Sequence, residues 1–233
     1  MSATQSTTTS TTTSTTHKKA LVVWGGWPGH QPKECVDRFV PGLEADGYDV
    51  TLADTLAVYE DAAALAETDL IVQCWTMGEI SRQQTQGLSE AVAAGTGLAG
   101  WHGGLCDSFR ASPEYQLLTG GQWVAHPGGQ IDYAVDILPA AAADPIVAGL
   151  GRFEIHSEQY YLHVDPANEV LATTTFGAHP EAPAVEGVVM PVAWKRRWGQ
   201  GRVFYCSLGH SPADFDVPEA ATIINRGLRW ASR

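Results

Sequence analysis

The chain has 233 residues, and 14 Lys+Arg against 26 Asp+Glu give a formal net charge of −12. With 44% hydrophobic and 17% charged residues, it has the length and composition for a substantial core. The acidic balance lacks the basic footprint of a nucleic-acid binder and disfavours an anionic membrane surface. Apolar runs such as Leu70-Ile71-Val72 fall far short of the ~18 residues of a spanning helix.

Residues 1–17 read as a disordered Ser/Thr-rich tail, because so polar a stretch has too little apolar surface to offset its ordering entropy. The tail has no basic patch and no apolar core, so it is not a secretory signal, and the cytoplasm is the expected compartment. Cys35, Cys74, Cys106 and Cys206 form no Cys-x-x-Cys pair and read as reduced, buried thiols.

Residues 18–233 read as one domain. Lys18 to Trp24 is a buried strand ending at Gly25-Gly26-Trp27-Pro28-Gly29. Cys35-Val36, Phe39-Val40 and Leu43 have helical spacing, which Pro41 either kinks or divides. Strands follow at Tyr48 to Leu52 and Asp69 to Trp75. A helix over Ser81 to Ala94 is capped by Ser81 and stopped by Gly95. Thr96 to Trp101 is a fourth strand, running into His102-Gly103-Gly104. This alternation predicts a parallel sheet covered on both faces.

The second half is mostly strand-like, at Ile131–Leu138, Phe153–Val164, Val170–Phe176 and Pro191–Leu208. The last is a hairpin turning at Gly199-Gln200-Gly201. Pro218 opens a closing helix with Ala221, Ile224, Leu228 and Trp230 as its apolar positions.

Ligands of open parallel sheets bind at the carboxyl ends of the strands. His30 and His102 fall at that edge by the strand-loop pattern, and His210 joins them if its strand ends on the same side. Gly100-Trp101-His102-Gly103-Gly104 has the form of a sharp strand-to-helix elbow with histidine at its tip. The glycines allow the bend and leave amides free to cradle an anion. The loop at residues 25–29 is neither Gly-x-Gly-x-x-Gly nor a phosphate loop, so nucleotide binding lacks a motif. It can let Trp27 and His30 reach over a pocket.

In Phe153 to Tyr161, period-two alternation puts Glu154, His156, Glu158 and Tyr160 on one face. That stripe supplies carboxylate and imidazole to a metal or a proton-transfer pair, or else it faces solvent on an edge strand. His126-Pro127 sits in a Gly/Pro-rich loop that can line a cleft. Trp24, Trp27, Trp75, Trp101 and Trp123 lie at predicted strand ends or loops, where flat apolar faces suit sugar rings, although core packing explains most tryptophans.

One set of motifs then recurs in order. It runs through Gly100-Trp101-His102-Gly103-Gly104, Tyr115-x-x-Leu118-x-Gly120-Gly121, His126-Pro127, Asp144-Pro145-Ile146 and Glu158-x-Tyr160. It continues with Pro191-Val192-Ala193-Trp194, Gly201-Arg202-Val203-Phe204-Tyr205 and Leu208-Gly209-His210. Over residues 19–232 this resembles the ThuA-like (trehalose utilisation) family of the class I glutamine amidotransferase-like superfamily. The resemblance implies a flavodoxin-like three-layer α/β sandwich, with a mainly parallel central sheet and extra strands in the second half. It implies catabolism of disaccharides such as trehalose, through 3-keto derivatives formed with a partner sugar dehydrogenase. His102 stands where the superfamily's amidotransferases carry the elbow cysteine, and His210 matches their terminal histidine. Glutaminase chemistry through a thioester therefore has no nucleophile here.

Three functions stay open. In the first, His102 and His210 are acid/base groups, Glu158 orients one of them, and a small carbohydrate rests on Trp27, His30, Trp75, Trp101, Gly103, Gly104, His126 and Tyr160. In the second, His30, His102, His156 and His210, or Glu158, converge on a divalent ion such as zinc. In the third, the protein is a non-catalytic sugar-binding or assembly subunit. Edge strands in the second half offer pairing surfaces for a homo-oligomer.

Overall fold

Ala20 and Val22 pack into one core layer while Leu21 and Val23 pack into another, and all four are buried. A strand covered on both faces belongs to a sheet with helices on either side. The computed structural model describes residues 17–233. The tail expected over residues 1–17 lies outside the described residues, His17 apart.

In chain order, β1 (Lys18–Gly26) leads to α1 (Pro32–Asp37) and α2 (Val40–Ala45), then β2 (Tyr48–Ala53), α3 (Ala62–Glu67) and β3 (Leu70–Thr76). Next come α4 (Arg82–Ala94), β4 (Gly97–Trp101), α5 (Gly103–Cys106), α6 (Pro113–Thr119), β5 (Gly121–Ala125) and β6 (Gln130–Ile137). The chain continues through β7 (Phe153–Glu158), β8 (Tyr161–Val164), β9 (Glu169–Thr175), β10 (Val189–Trp198), β11 (Gly201–Cys206) and α7 (Pro218–Ala231).

The main sheet has nine strands in the order β2-β1-β3-β4-β11-β10-β9-β6-β7. The five from β2 to β11 are mutually parallel, and the remaining four extend the sheet antiparallel. This is the flavodoxin-like order with extra strands added in the second half. α1, α2 and α7 pack on one face. α3, α4 and α6 pack on the other.

Local chemistry explains the boundaries. Pro41 divides rather than kinks the first helical stretch, lying in the first turn of α2, where its missing N–H costs nothing. Ser81 accepts from the Gln84 amide while the Gln84 side chain accepts from the Ser81 amide, a complete capping box on α4.

Two expectations change. Phe153–Val164 is two strands, because the chain leaves the main sheet after Glu158 and β8 pairs with β5 in a separate ribbon. The buried face of α7 is Ala220, Ile223, Ile224, Gly227, Leu228 and Ala231, whereas Ala221 and Trp230 are only partly buried. Among the described residues, no helix is long and apolar enough to cross a membrane.

Candidate functional site

The strand order reverses between β1 and β3, the switch point where a crevice opens beyond the carboxyl ends of a parallel sheet. His30 follows β1 and Thr76 ends β3 on either side of it. His102 follows β4, and His210 lies in the loop after β11, which is parallel to β4 and directly beside it. Glu158 arrives from the antiparallel side as the last residue of β7.

His102 adopts φ 46° and ψ −139° at the elbow. A non-glycine residue in that region is strained, and such strain concentrates at functional positions. Its amide bonds to the Cys206 carbonyl at 2.7 Å, fixing the elbow to β11. Gly104 is needed because a Cβ there would stand 2.7 Å from the Cα of Cys74.

His30, His102, His210 and Glu158 each offer one ligand atom, and these four atoms lie within 4.8 Å of one another. Glu158 Oε2 is 3.1 Å from His102 Nε2, 3.3 Å from His210 Nδ1 and 3.7 Å from His30 Nε2. A tetrahedral ion with bonds of about 2.0–2.1 Å separates its ligands by roughly 3.3 Å, close to the 3.1–3.7 Å at which the three histidine nitrogens stand from Glu158 Oε2.

The second nitrogen of each imidazole is held. His102 Nδ1 is 2.7 Å from the Ser207 carbonyl, His30 Nδ1 is 2.9 Å from Thr76 Oγ1, and His210 Nε2 is 3.1 Å from Gln130 Nε2. Such outer partners fix ring orientation in histidine metal sites. A carbonyl only accepts, so His102 Nδ1 carries a hydrogen, and in the neutral ring Nε2 aims a lone pair at a carboxylate. Two acceptors 3.1 Å apart require a proton or a cation between them. His210 Nδ1 is buried without a hydrogen-bond partner.

Burial pushes the Glu158 carboxyl up, but the imidazoles of His102, His210 and His30 that face it outweigh burial and hold the group well below the usual carboxylate range. Burial lowers His30, against the pull of Glu158. The facing Glu158 carboxylate raises His210 by more than burial lowers it. The cluster is a fixed anion with imidazole nitrogens directed at it.

Around it, the Tyr160 ring stacks on His102 with centroids 4.0 Å apart. His126 Nε2 is 3.7 Å from Glu158 Oε1, the carboxylate oxygen turned away from the other three histidines. Trp27 is 43% exposed and meets His30 edge-on at 4.8 Å, and Trp123 lies 5.5 Å from His126.

Other expected site residues lie elsewhere. His156 is 61% exposed and pairs with Asp132 at 2.8 Å on the outer face of the edge strand β7, so it does not converge with the other histidines. Alternation holds for Glu154 and His156, both exposed, but it ends with β7, and the members of that stripe that reach the cluster are Glu158 at the strand end and Tyr160 beyond it. Trp101 is buried in the core against Phe39 and Phe215, not beside the cluster. Trp75 is half-buried against Gly25 and Gly78. Gly103 and Gly104 are buried and give room to His30 and Cys74, which is packing rather than an open anion cradle. Sequence reasoning missed Gln130, Ser207 and Asp214. Gln130 lies opposite Glu158 in the β6–β7 register, which the sequence pattern did not reveal.

Residues 19–231 match the family model described as ThuA, trehalose utilisation. A ThuA-like protein of Bacteroides uniformis ATCC 8492 superposes with a TM-score of 0.74 at 18% identity, covering 92% of this chain and 91% of that one. A ThuA-like protein of Parabacteroides merdae ATCC 43184 gives 0.73 at 16% identity, covering 93% and 90%. A cytoplasmic protein of Salmonella typhimurium LT2 gives 0.64 at 15% identity, covering 93% and 100%. At these identities the likeness to solved structures is one of fold. No curated protein matches the chain.

Proposed function

The chain belongs to the ThuA (trehalose utilisation) family, and from that premise we propose that it is a metal-assisted enzyme of carbohydrate catabolism. Its substrate would be a disaccharide such as trehalose or its 3-keto derivative. The observation that carries the reading is the convergence of three imidazole nitrogens on one oxygen of Glu158, with each ring's other nitrogen held from outside. Three imidazole nitrogens facing a single oxygen at 3.1–3.7 Å make a poor hydrogen-bond network, but four ligand atoms at that spacing suit one divalent ion such as zinc.

His30, His102, His210 and Glu158 would hold the ion. A bound divalent ion supplies Lewis-acid polarisation of a sugar carbonyl, or a water made acidic enough to attack at neutral pH. His126 stands outside the ligand set and is the imidazole left to exchange a proton at Nε2 with the substrate. Trp27 offers an exposed face to a sugar ring, and Tyr160 keeps His102 from tilting. Cys106 cannot replace the absent elbow thiol, because burial pushes it well above the ordinary thiol range. This supports a function other than glutamine amidotransfer. A sugar dehydrogenase would supply the keto substrate.

The 3.1 Å contact of His102 with Glu158 favours a second reading, in which a protonated imidazole takes the place of the ion and His102 and His210 act as acid and base. Elemental analysis of untagged protein before and after chelator dialysis separates the two. The metal reading expects near-stoichiometric metal in the native protein and none in His102→Ala, with turnover of 3-keto-trehalose lost on chelation and restored by zinc. Metal-free protein that turns over the same substrate supports the second reading and removes the first.

A further inference from the structure

Asp214 is 5% exposed and, among the described residues, forms no salt bridge. Its Oδ2 accepts from the backbone amides of His210 at 3.0 Å and Gly209 at 3.2 Å, and from the hydroxyl of Ser157. Its Oδ1 accepts from the Ser211 hydroxyl at 3.3 Å. Every contact is to an N–H or O–H of the two segments that carry Glu158 and His210. Ser157 immediately precedes Glu158 on β7, and Gly209 to Ser211 form the loop after β11.

A buried carboxylate held only by neutral donors keeps its charge at a cost, unless a cation stands close by. We propose that Asp214 is the positioning residue of the cluster. It clamps the His210 loop to the end of β7, so that His210 Nδ1 and Glu158 face one another. It also supplies a second buried negative charge, which makes the site suited to a divalent rather than a monovalent cation. The inference rests on the metal reading for its cation, but the clamp itself is a matter of hydrogen bonds and stands apart from it.

The arrangement has a geometric logic. β11 and β7 lie at separate positions in the sheet, with β10, β9 and β6 between them, so no direct ladder ties their ends together. The loop after β11 includes Gly209 at φ 110°, a backbone conformation that glycine adopts without strain. Two backbone amides and a hydroxyl converging on one carboxylate oxygen replace the missing ladder.

The test compares wild type, Asp214→Asn and Ser157→Ala by zinc titration against a competing chelator. Each is also examined by ¹H–¹⁵N spectra of the histidine rings and by melting temperature. Asn keeps the shape and one acceptor oxygen but loses the charge, and its NH₂ can donate but not accept. Ala at 157 keeps the charge but cuts the tie to β7. The proposal expects Asp214→Asn to lose at least ten-fold in zinc affinity and Ser157→Ala a few-fold. It also expects the His210 ring signals to move in both variants while those of His156 stay fixed. A folded Asp214→Asn protein with wild-type zinc affinity and unmoved His210 signals overturns it. If Asp214→Asn does not fold, unmoved His210 signals in Ser157→Ala overturn it equally. Wild type that binds no zinc removes the metal reading, and the ring signals of the same variants still decide the clamp.

Discussion

A Cβ placed on Gly103 would stand 2.6 Å from Cε1 and 2.7 Å from Nδ1 of His30. The elbow after β4 and the loop after β1 are therefore fitted to each other through a missing methyl group. Gly103→Ala must push the His30 ring away from Thr76 and out of the cluster, with an overpacking cost of about 1–3 kcal/mol. We expect the variant to fold, to melt several degrees lower, and to bind zinc at least ten-fold more weakly. A titration matching wild type would remove His30 from the ligand set.

Glu158→Gln removes the anion to which all four nearby histidines turn. Wild-type protein at a zinc concentration 100-fold above its dissociation constant gains about 2.7 kcal/mol of stability from binding alone. Glu158→Gln should lose most of that gain, so the melting temperature of the variant should barely respond to added zinc. Scanning calorimetry with and without the metal makes the comparison.

His156→Ala provides the contrast. The ring is largely exposed and, among the described residues, its polar partner is Asp132, and surface substitutions of this kind change stability by about 0.5 kcal/mol or less. Metal content and melting temperature should match wild type. A loss of metal would place His156 in the site and contradict the geometry of β7.

Burial raises all four thiols, with Cys35 and Cys206 pushed up to about 12 and Cys74 and Cys106 well above the ordinary range. Between pH 9 and 12 the unfolded chain releases protons that the native chain retains, so stability falls as pH rises. The slope approaches about 1.4 kcal/mol per pH unit for each thiol, and below pH 8 the thiols contribute none. Urea melts from pH 7 to pH 10.5 should show the decline beginning near pH 9. Thiol reagents at pH 8 should find no reactive cysteine in the native protein and four after denaturation.

The edge to which His30, His102 and His210 belong was legible, because each follows an apolar run at a glycine-bearing turn, and loops after parallel strands share one side of the sheet. Whether His210 reached the others depended on β11 pairing with β4, a long-range choice made by the β10–β11 hairpin inserting beside β4. Trp101 could not be assigned from its position at a strand end. Every residue of β4 is buried, so alternation carries no sign of which face meets the core.

Glu158 and His156 mark the boundary between the two kinds of information. Period-two alternation placed them on one face of one strand, and the sequence treats them as equivalent. The fold separates them. His156 lies mid-strand on an outer edge, opposite Asp132, while Glu158 is where β7 ends and its carboxylate meets His30, His102 and His210. Sequence alone determined the alternating elements, the glycine elbow and the histidines at the carboxyl edge, because these follow from local spacing and backbone sterics. Only the tertiary structure decided the donor set and the Asp214 tie, because those distances are fixed by strands far apart in the chain that meet at one end of the sheet.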